Sequence, residues 1–600
     1  MRKSQHLLIK FTFSRLTLLT LFMLGLITPS GLAGVHQIWA VGDGERVEQD
    51  YLFSPLKASN SIWNGGEIVL YGARNEIVAF QVIVEADTEG IAQLSASLPK
   101  LVHTTTGSKI TYRPPASDPT DYTDRDIQLF SVNYMQVNQA TRASWMYEIG
   151  PSAPADPLGS KPVQIIPENA RADRGGFPLR VSRRYNQSIW IEIYTGRDRP
   201  SGSYQGTLEV TADSTLYTIP VTLNLWDFNL PETNSIDAMI YFESGQPLLY
   251  HGRRLDTEYH RFAHRNRIEL VHSYSIASAT DNQGRFHGTD FTGPRGYRGP
   301  GEGIGNRIIP ATFYGPGSAF NERGSAWQTS DAWITFLDGL LSDYLTFVYL
   351  PDEPNSSQWP EIRNIADNIH SNPGPGGRLP VFVTSAYTPA LDSWIDYWCS
   401  PPQRYDRSRA LKERAKGHEF WTYNGGRPYL GAIVIDAPAT DARATIWACF
   451  KHEISLYFYW HSVHWQHNHQ LGPAVEKNQN IWLNPVTFDN GGSYGNGDGV
   501  LIYPGEEIVH PDQDRGVPGP ISSFRLANFR RGLQDHQYLT LARRMGLSGL
   551  VDEVIDEVVP RVFSETDGNL GFTEDEATFE SARRRLGDAI ETARSHRRRR

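Results

Sequence analysis

Asp352 and Glu353 stand side by side, bracketed by Pro351 and Pro354 and preceded by the apolar run Phe347-Val348-Tyr349-Leu350. Carboxyl groups are among the side chains that serve as general acids and bases. A short continuous apolar run reads as a buried parallel strand, and in barrel enzymes reactive side chains collect where such strands end. Successive strand residues point to opposite faces, so both acids enter one pocket only if the chain has left regular strand geometry. The prolines favour that departure, because proline gives no ladder hydrogen bond and Pro354 biases Glu353 away from helix. A plainer expectation competes, in which both acids merely precede a helix near Pro360 and favour its positive N-terminus.

Asp436 closes the run Leu430-Gly431-Ala432-Ile433-Val434-Ile435 and is the best second carboxylate. It either reaches the same pocket or caps a turn ahead of Pro438. Glu243, after Tyr241-Phe242, has similar standing. Tyr387, Tyr423, Tyr459, Trp460 and Trp482 lie at or beyond expected strand ends. Each ring could wall a ligand subsite, and each could equally be core. The histidine-rich stretch 461–469 lacks His-Glu-x-x-His and a Cys-x-x-Cys partner, so a surface loop is expected rather than a zinc site. Gly491-Gly492-Ser493-Tyr494-Gly495 matches a nucleophile elbow in letters only, since it lies in the Gly/Asn/Asp-rich run 489–499 rather than on a strand-turn-helix. That run also lacks EF-hand spacing. With no phosphate-cradling or dinucleotide fingerprint, neither metal nor cofactor is expected.

The elements that must position these residues fall into two patterns. Residues 35–231 show short strands separated by turn residues, with no long helical periodicity, which predicts an antiparallel β-sandwich. Residues 232–545 alternate apolar strands with helical segments, which predicts a (β/α)8 TIM-like barrel. Its strands are expected at 238–242, 269–274, 345–350, 381–384, 394–398, 419–423, 455–460 and 499–503, so the acidic pair follows the third. Helices are expected at 256–267, 330–344, 360–370 and 440–452. The Gly/Pro-rich insertion 280–324 reads as a loop over one barrel face. Residues 523–544 are expected to close the barrel as a helix, followed by a C-terminal helical segment, 546–600, with a basic tail.

The 600 residues are 39% hydrophobic and 21% charged, a globular composition sufficient for two or more cores. A formal net charge of −10 offers no basic face for nucleic acid, and Arg597 to Arg600 read as a solvated tail. Residues 1–33 carry early positive charges, an apolar run and a small-residue ending, which predicts a signal peptide and an exported mature protein. No later run approaches the ~20 apolar residues of a membrane span, so no integral membrane domain is expected. Cys399 and Cys449 could pair in an oxidising compartment or remain buried thiols.

Several motifs together resemble glycoside hydrolase family 123: Ala73-Arg74-Asn75-Glu76 with Phe80-Gln81, Gly202-Ser203-Tyr204-Gln205-Gly206-Thr207, Trp226-Asp227-Phe228-Asn229-Leu230-Pro231, Asp352-Glu353-Pro354, and Asn496-Gly497-Asp498-Gly499 through Tyr503-Pro504-Gly505 to Ser523-Phe524-Arg525-Leu526. The resemblance covers most of the chain after residue 33. It implies a β-sandwich followed by a barrel, and an adjacent Asp-Glu pair that cleaves β-linked N-acetylgalactosamine with help from the substrate. Asp352 would then orient and polarise the 2-acetamido group, and Glu353 would be the general acid/base. Ordinary two-carboxylate glycosidases hold their acids apart, whereas a substrate that supplies its own nucleophile lifts that requirement. The expected partner is an oligosaccharide or glycoconjugate. Two alternatives stay open: a glycosidase using Glu353 with Asp436 or Glu243 as nucleophile, and a non-catalytic carbohydrate-binding protein on an enzyme fold.

Overall fold

Strands rich in β-branched and aromatic residues open the chain, as their fit to a pleated, half-buried surface requires. The computed structural model describes residues 34–467 and 477–598, so the expected signal peptide lies outside the described residues. One antiparallel sheet runs in the order Val35–Gly42, Ile77–Ala86, Asn186–Tyr194, Ile127–Val137, Gly159–Pro167, Pro520–Ser523 and Tyr503–Pro504. A second sheet, antiparallel except where Ile68–Arg74 runs parallel to Thr215–Asn229, has the order Ile68–Arg74, Thr215–Asn229, Gly202–Ala212, Ile91–Ser97 and Leu179–Val181, with Lys100–His103 paired to Gly202–Ala212 and Lys109–Thr111 paired to Lys100–His103. Trp39, Val82 and Ile191 of the first sheet share one buried cluster with Leu70, Leu208 and Val221 of the second. The outer residues of Gly202–Ala212 alternate with buried ones, the period-2 pattern of a sheet with one wet face.

The other large sheet is parallel. Its order is Glu269–Val271, Asp237–Tyr241, Leu456–Tyr459, Glu419–Tyr423, Tyr397–Ser400, Val381–Thr384 and Val348–Tyr349. These strands are apolar almost throughout, as a sheet covered on both faces demands. Helices Asp256–Arg265, Arg323–Leu340, Trp359–His370, Arg407–Ala415 and Thr440–Lys451 alternate with them. Met239, Val271, Phe347, Tyr349, Phe382, Cys399, Trp421, Tyr423 and Phe458 form a single buried cluster drawn from all seven strands or their extensions.

One expected strand needs correction, and so does one expected loop. Residues 499–503 do not join the parallel sheet; Tyr503 pairs antiparallel with Ile521 and extends the first sheet instead. An apolar run looks alike in any sheet, so its composition could not report its partner. The missing parallel segment lies inside the insertion read as a loop. Ile309 and Ala311 N–H donate to the carbonyls of Leu345 and Phe347, Leu345 N–H donates to Arg307, and Tyr274 N–H donates to Pro310. Ile308 and Ile309 are fully buried, hidden in the sequence by polar, glycine-rich flanks. With residues 307–311 counted, the acidic pair follows the fourth parallel segment rather than the third.

Helix Phe524–Arg544 is capped by the Ser523 hydroxyl and buried along most of its length, charged residues included. Its charges are paired: Arg530 to Glu192 at 2.6 Å, Arg531 to Glu580 at 2.9 Å, and Asp535 to Arg443 at 2.5 Å. Breaking one such pair from one side costs roughly 3–5 kcal/mol, because the survivor stays buried and uncompensated. The helix therefore ties the first sheet, helix Thr440–Lys451 and the C-terminal helix Glu576–Arg598 together. Cys399 and Cys449 are buried free thiols, so the disulfide alternative is not realised. Among the described residues no helix is long and apolar enough to cross a membrane.

Candidate active site

Strand Val348–Tyr349 ends two residues before the acidic pair, and the chain then turns sharply. Glu353 has φ of +43°, in the left-handed region that costs a non-glycine residue roughly 1–3 kcal/mol. That turn resolves the alternation problem, since it breaks the rule that would send neighbouring side chains to opposite faces. Both acids are solvent-exposed. The helix that follows begins at Trp359, and Asn355, not either acid, caps the short turn ahead of it.

The two carboxylates have separate partners. Asp352 Oδ1 accepts from the Tyr349 hydroxyl and from Thr384 Oγ1, each at 2.8 Å. Thr384 Oγ1 in turn accepts the Glu353 backbone N–H at 3.1 Å, so one hydroxyl positions both acids. Glu353 Oε1 accepts from the Tyr423 hydroxyl at 2.7 Å. Burial, and then the Glu353 charge, push the Tyr423 phenol far above its ordinary range, so it stays a donor. Tyr349 is raised likewise by burial and by Asp352. Tyr314 lies 5.4 Å from Tyr349 between ring centroids and is pushed up by burial, then by Asp352, Tyr241 and Glu353.

Tyr314 links the pair to the next wall. Its hydroxyl donates to the Trp460 carbonyl at 2.6 Å, and Asn424 Oδ1 accepts the Trp460 N–H at 3.0 Å. The Trp460 indole donates to Asp498 Oδ1 at 2.7 Å, where the Tyr459 hydroxyl also arrives at 3.3 Å. Asp498 is buried, and its carboxyl is pushed up by that burial. Gly499 permits this packing: its φ is +74°, and a β-carbon at this position would lie only 2.4 Å from the Trp460 ring. Glu243 accepts from Gln246 at 2.7 Å and lies 3.6 Å from His461 Nε2, which, with Gln246, holds its carboxyl below the usual range. The Tyr241 ring bridges His461 at 5.1 Å and Tyr314 at 4.7 Å, placing Glu243 on the same side of the sheet as the pair.

Three expected site residues are occupied elsewhere. Asp436 is fully buried and accepts the Thr141 N–H at 2.5 Å, the Thr141 hydroxyl at 2.7 Å and the Tyr147 hydroxyl at 2.7 Å. It locks the loop around residues 141–147 to the segment after Ile435. Trp482 is buried beneath the Arg515 guanidinium at 3.7 Å. Tyr387 lies under Arg409 at 3.9 Å, beside Trp398. The surface-loop expectation for 461–469 also fails where it can be followed: His461, His464 and His467 are buried, packed in sequence ring against ring. His469 lies outside the described residues. Tyr349, Thr384, Tyr314 and Asp498 were not among the expected site residues, although Thr384 and Tyr349 sit where an expected strand ends.

Metal-ready geometry occurs at Asp43, Glu576 and Glu580, whose oxygens lie within 4.8 Å of one another. Arg531 and Arg443 bind Glu580 there, so the chemistry is that of an ion-pair network between the first sheet and the C-terminal helix. A cavity of about 340 Å³ beside it is lined by Tyr71, Trp226 and Arg583 and does not include Asp352 or Glu353.

Two acids on separate hydroxyl partners, at the carboxyl end of a parallel strand and open to solvent, suit acid/base work on a polar substrate. Residues 346–542, which hold the pair, match the family model described as glycoside hydrolase 123, catalytic domain. Over that segment the chain is thus similar to a glycoside hydrolase of family 123. Its fold is similar to that of a family 123 glycoside hydrolase from Clostridium perfringens studied for glycolipid glycan hydrolysis, with TM-score 0.61, 13% identity, and coverage of 93% of this chain and 99% of that one. A β-glucuronidase from Parabacteroides merdae is a more distant likeness, with TM-score 0.27, 10% identity, and coverage of 77% and 50%. Among curated protein sequences none matches this chain.

Proposed function

We propose that this protein hydrolyses a β-linked 2-acetamido sugar, a β-N-acetylgalactosaminide, by substrate-assisted retaining catalysis. The observation that carries this reading is the division of partners between neighbouring acids: Asp352 is fixed by Tyr349 and Thr384, while Glu353 is addressed by Tyr423. In this mechanism Asp352 accepts the acetamido N–H, and the acetamido carbonyl oxygen attacks the anomeric carbon as the glycosidic bond breaks. Glu353 gives its proton to the departing oxygen. It then takes a proton from water as that water opens the cyclic intermediate, returning the sugar with its original anomeric configuration. We read the ring of parallel segments, completed by residues 307–311, as a (β/α)8 barrel, and the two N-terminal sheets as a β-sandwich. Residues 1–33 are read as an export signal, and glycolipid glycans, the substrate class of the Clostridium relative, as the natural target.

Aryl β-N-acetylgalactosaminide and β-N-acetylglucosaminide hydrolysis tests this directly. Glu353→Gln is expected to lower kcat/KM by about 10²–10⁴. Unchanged activity in that variant would remove Glu353 from the chemistry, and equal turnover of a sugar lacking the acetamido group would overturn substrate assistance. The alternative with a separate nucleophile loses Asp436, whose oxygens are taken by Thr141 and Tyr147. Glu243 is assigned to contact with a sugar hydroxyl.

A further inference from the structure

Trp145 belongs to the N-terminal half of the chain, yet it sits against the catalytic half. Its carbonyl oxygen would be 2.5 Å from a side-chain carbon on Gly426, and the neighbouring Met146 carbonyl accepts the Arg427 N–H at 2.8 Å. Gly426 lies three residues beyond Tyr423, the residue that holds Glu353. The Arg142 and Tyr494 backbones pair in both directions, at 2.8 and 3.1 Å, and Asp436 fixes Thr141 from below. This loop is therefore held at both ends, and what it presents is an indole.

Trp145 is 37% exposed, unusual for the largest residue type in a protein whose other tryptophans are mostly buried. Its Nε1 donates to Asp498 Oδ2 at 3.3 Å, while Trp460 donates to Oδ1 of the same carboxylate at 2.7 Å. Phe488 meets Trp145 edge-on at 5.6 Å and Trp460 at 5.3 Å. One buried acid thus orients two indoles from distant parts of the chain around a common phenyl ring. An exposed aromatic fixed in this way offers a preset apolar face at little entropic cost, and the C–H face of a pyranose is its natural complement.

We propose that Trp145, with Phe488 and Trp460, forms a platform for the sugar ring beyond the cleaved bond, on the leaving-group side. The side follows from Glu353: the general acid faces the departing oxygen, and the Trp145 loop is anchored beside the tyrosine that holds that acid. This assignment rests on the glycosidase reading above. Trp145 is accordingly a specificity residue contributed by the N-terminal half, and it selects glycans over single sugars.

The test compares an oligosaccharide bearing at least one ring beyond the scissile bond with the corresponding glycosyl fluoride, whose single-atom leaving group cannot reach the platform. In Trp145→Ala, the ratio of kcat/KM for oligosaccharide over glycosyl fluoride is expected to fall by about 10-fold or more, chiefly through KM, and Trp145→Phe is expected to recover part of it. Equal loss on both substrates, or no loss on either, overturns the platform. A parent protein that cleaves neither substrate sinks the glycosidase reading instead. The platform is then judged by calorimetric titration of the parent and Trp145→Ala proteins with the same oligosaccharide. Weaker binding in the variant supports it, and equal affinity or no binding by the parent overturns it.

Discussion

The Tyr423 hydroxyl donates to Glu353 Oε1 at 2.7 Å from a strand three places across the parallel sheet. The acid is thus aimed by a residue remote from its own turn, and its exposed position does not leave it free to swing. Burial, followed by the Glu353 charge, pushes the phenol well above its ordinary range, so Tyr423 is the donor in this contact.

Tyr423→Phe removes that contact and little volume. A hydrogen bond to the carboxylate that forms as Glu353 gives up its proton is worth about 1.5–3 kcal/mol, which corresponds to a fall of roughly 10- to 150-fold in kcat. Steady-state kinetics on an aryl glycoside check this, with an unchanged thermal midpoint expected as control. A kcat within twofold of the parent would show that Glu353 is oriented by its turn alone.

Asp436→Ala separates architecture from chemistry. Three buried donors lose their acceptor, so stability should fall by about 3 kcal/mol or more, read as a lower denaturant midpoint at constant slope. An unchanged midpoint with lost substrate affinity would instead return Asp436 to the binding site.

Glu269 offers a pH test. Its carboxylate accepts the N–H groups of Arg307 at 3.0 Å and Ile308 at 2.9 Å, pinning the hidden parallel segment, and burial followed by the Asp237 charge pushes it up to about 7. A carboxyl raised in the folded state gives stability that is present in full below its unfolded pKa and is lost as pH rises through the folded value. Glu269→Gln keeps an acceptor oxygen and cannot ionise. Between about pH 4.5 and 7 the stability difference should therefore shift in favour of the variant, by on the order of 1–2 kcal/mol after solvent screening. Melting curves at pH 5 and 8 would show it, and parallel pH profiles for the two proteins would exclude it.

The acidic pair was legible because apolar strand, proline and carboxylates are all local signals. So were the helices at 360–370 and 440–452, whose observed bounds, Trp359–His370 and Thr440–Lys451, differ by one residue at an end. Residues 307–311 were not, because two isoleucines among glycines and prolines carry too little periodicity to compete with the turn signals around them. Asp436 looked catalytic for a sound reason, a carboxylate closing an apolar run, yet its partners Thr141 and Tyr147 lie nearly 300 residues earlier and no spacing announces them. Asp498 was hidden differently. Its Asn-Gly-Asp-Gly setting reads as a solvated turn, and only the fold reveals the two indoles that need it.

Pro520–Ser523 pairs with Gly159–Pro167 and so completes a sheet begun at the other end of the chain. During synthesis the long strand Gly159–Pro167 must therefore wait with one edge unsatisfied while the whole parallel-sheet region emerges. An open edge of that kind invites pairing with another chain. Maturation of the first half is thus timed by the last third, and a polypeptide halted before residue 520 would be a candidate for self-association even though Asp352, Glu353 and their hydroxyl partners had already been made.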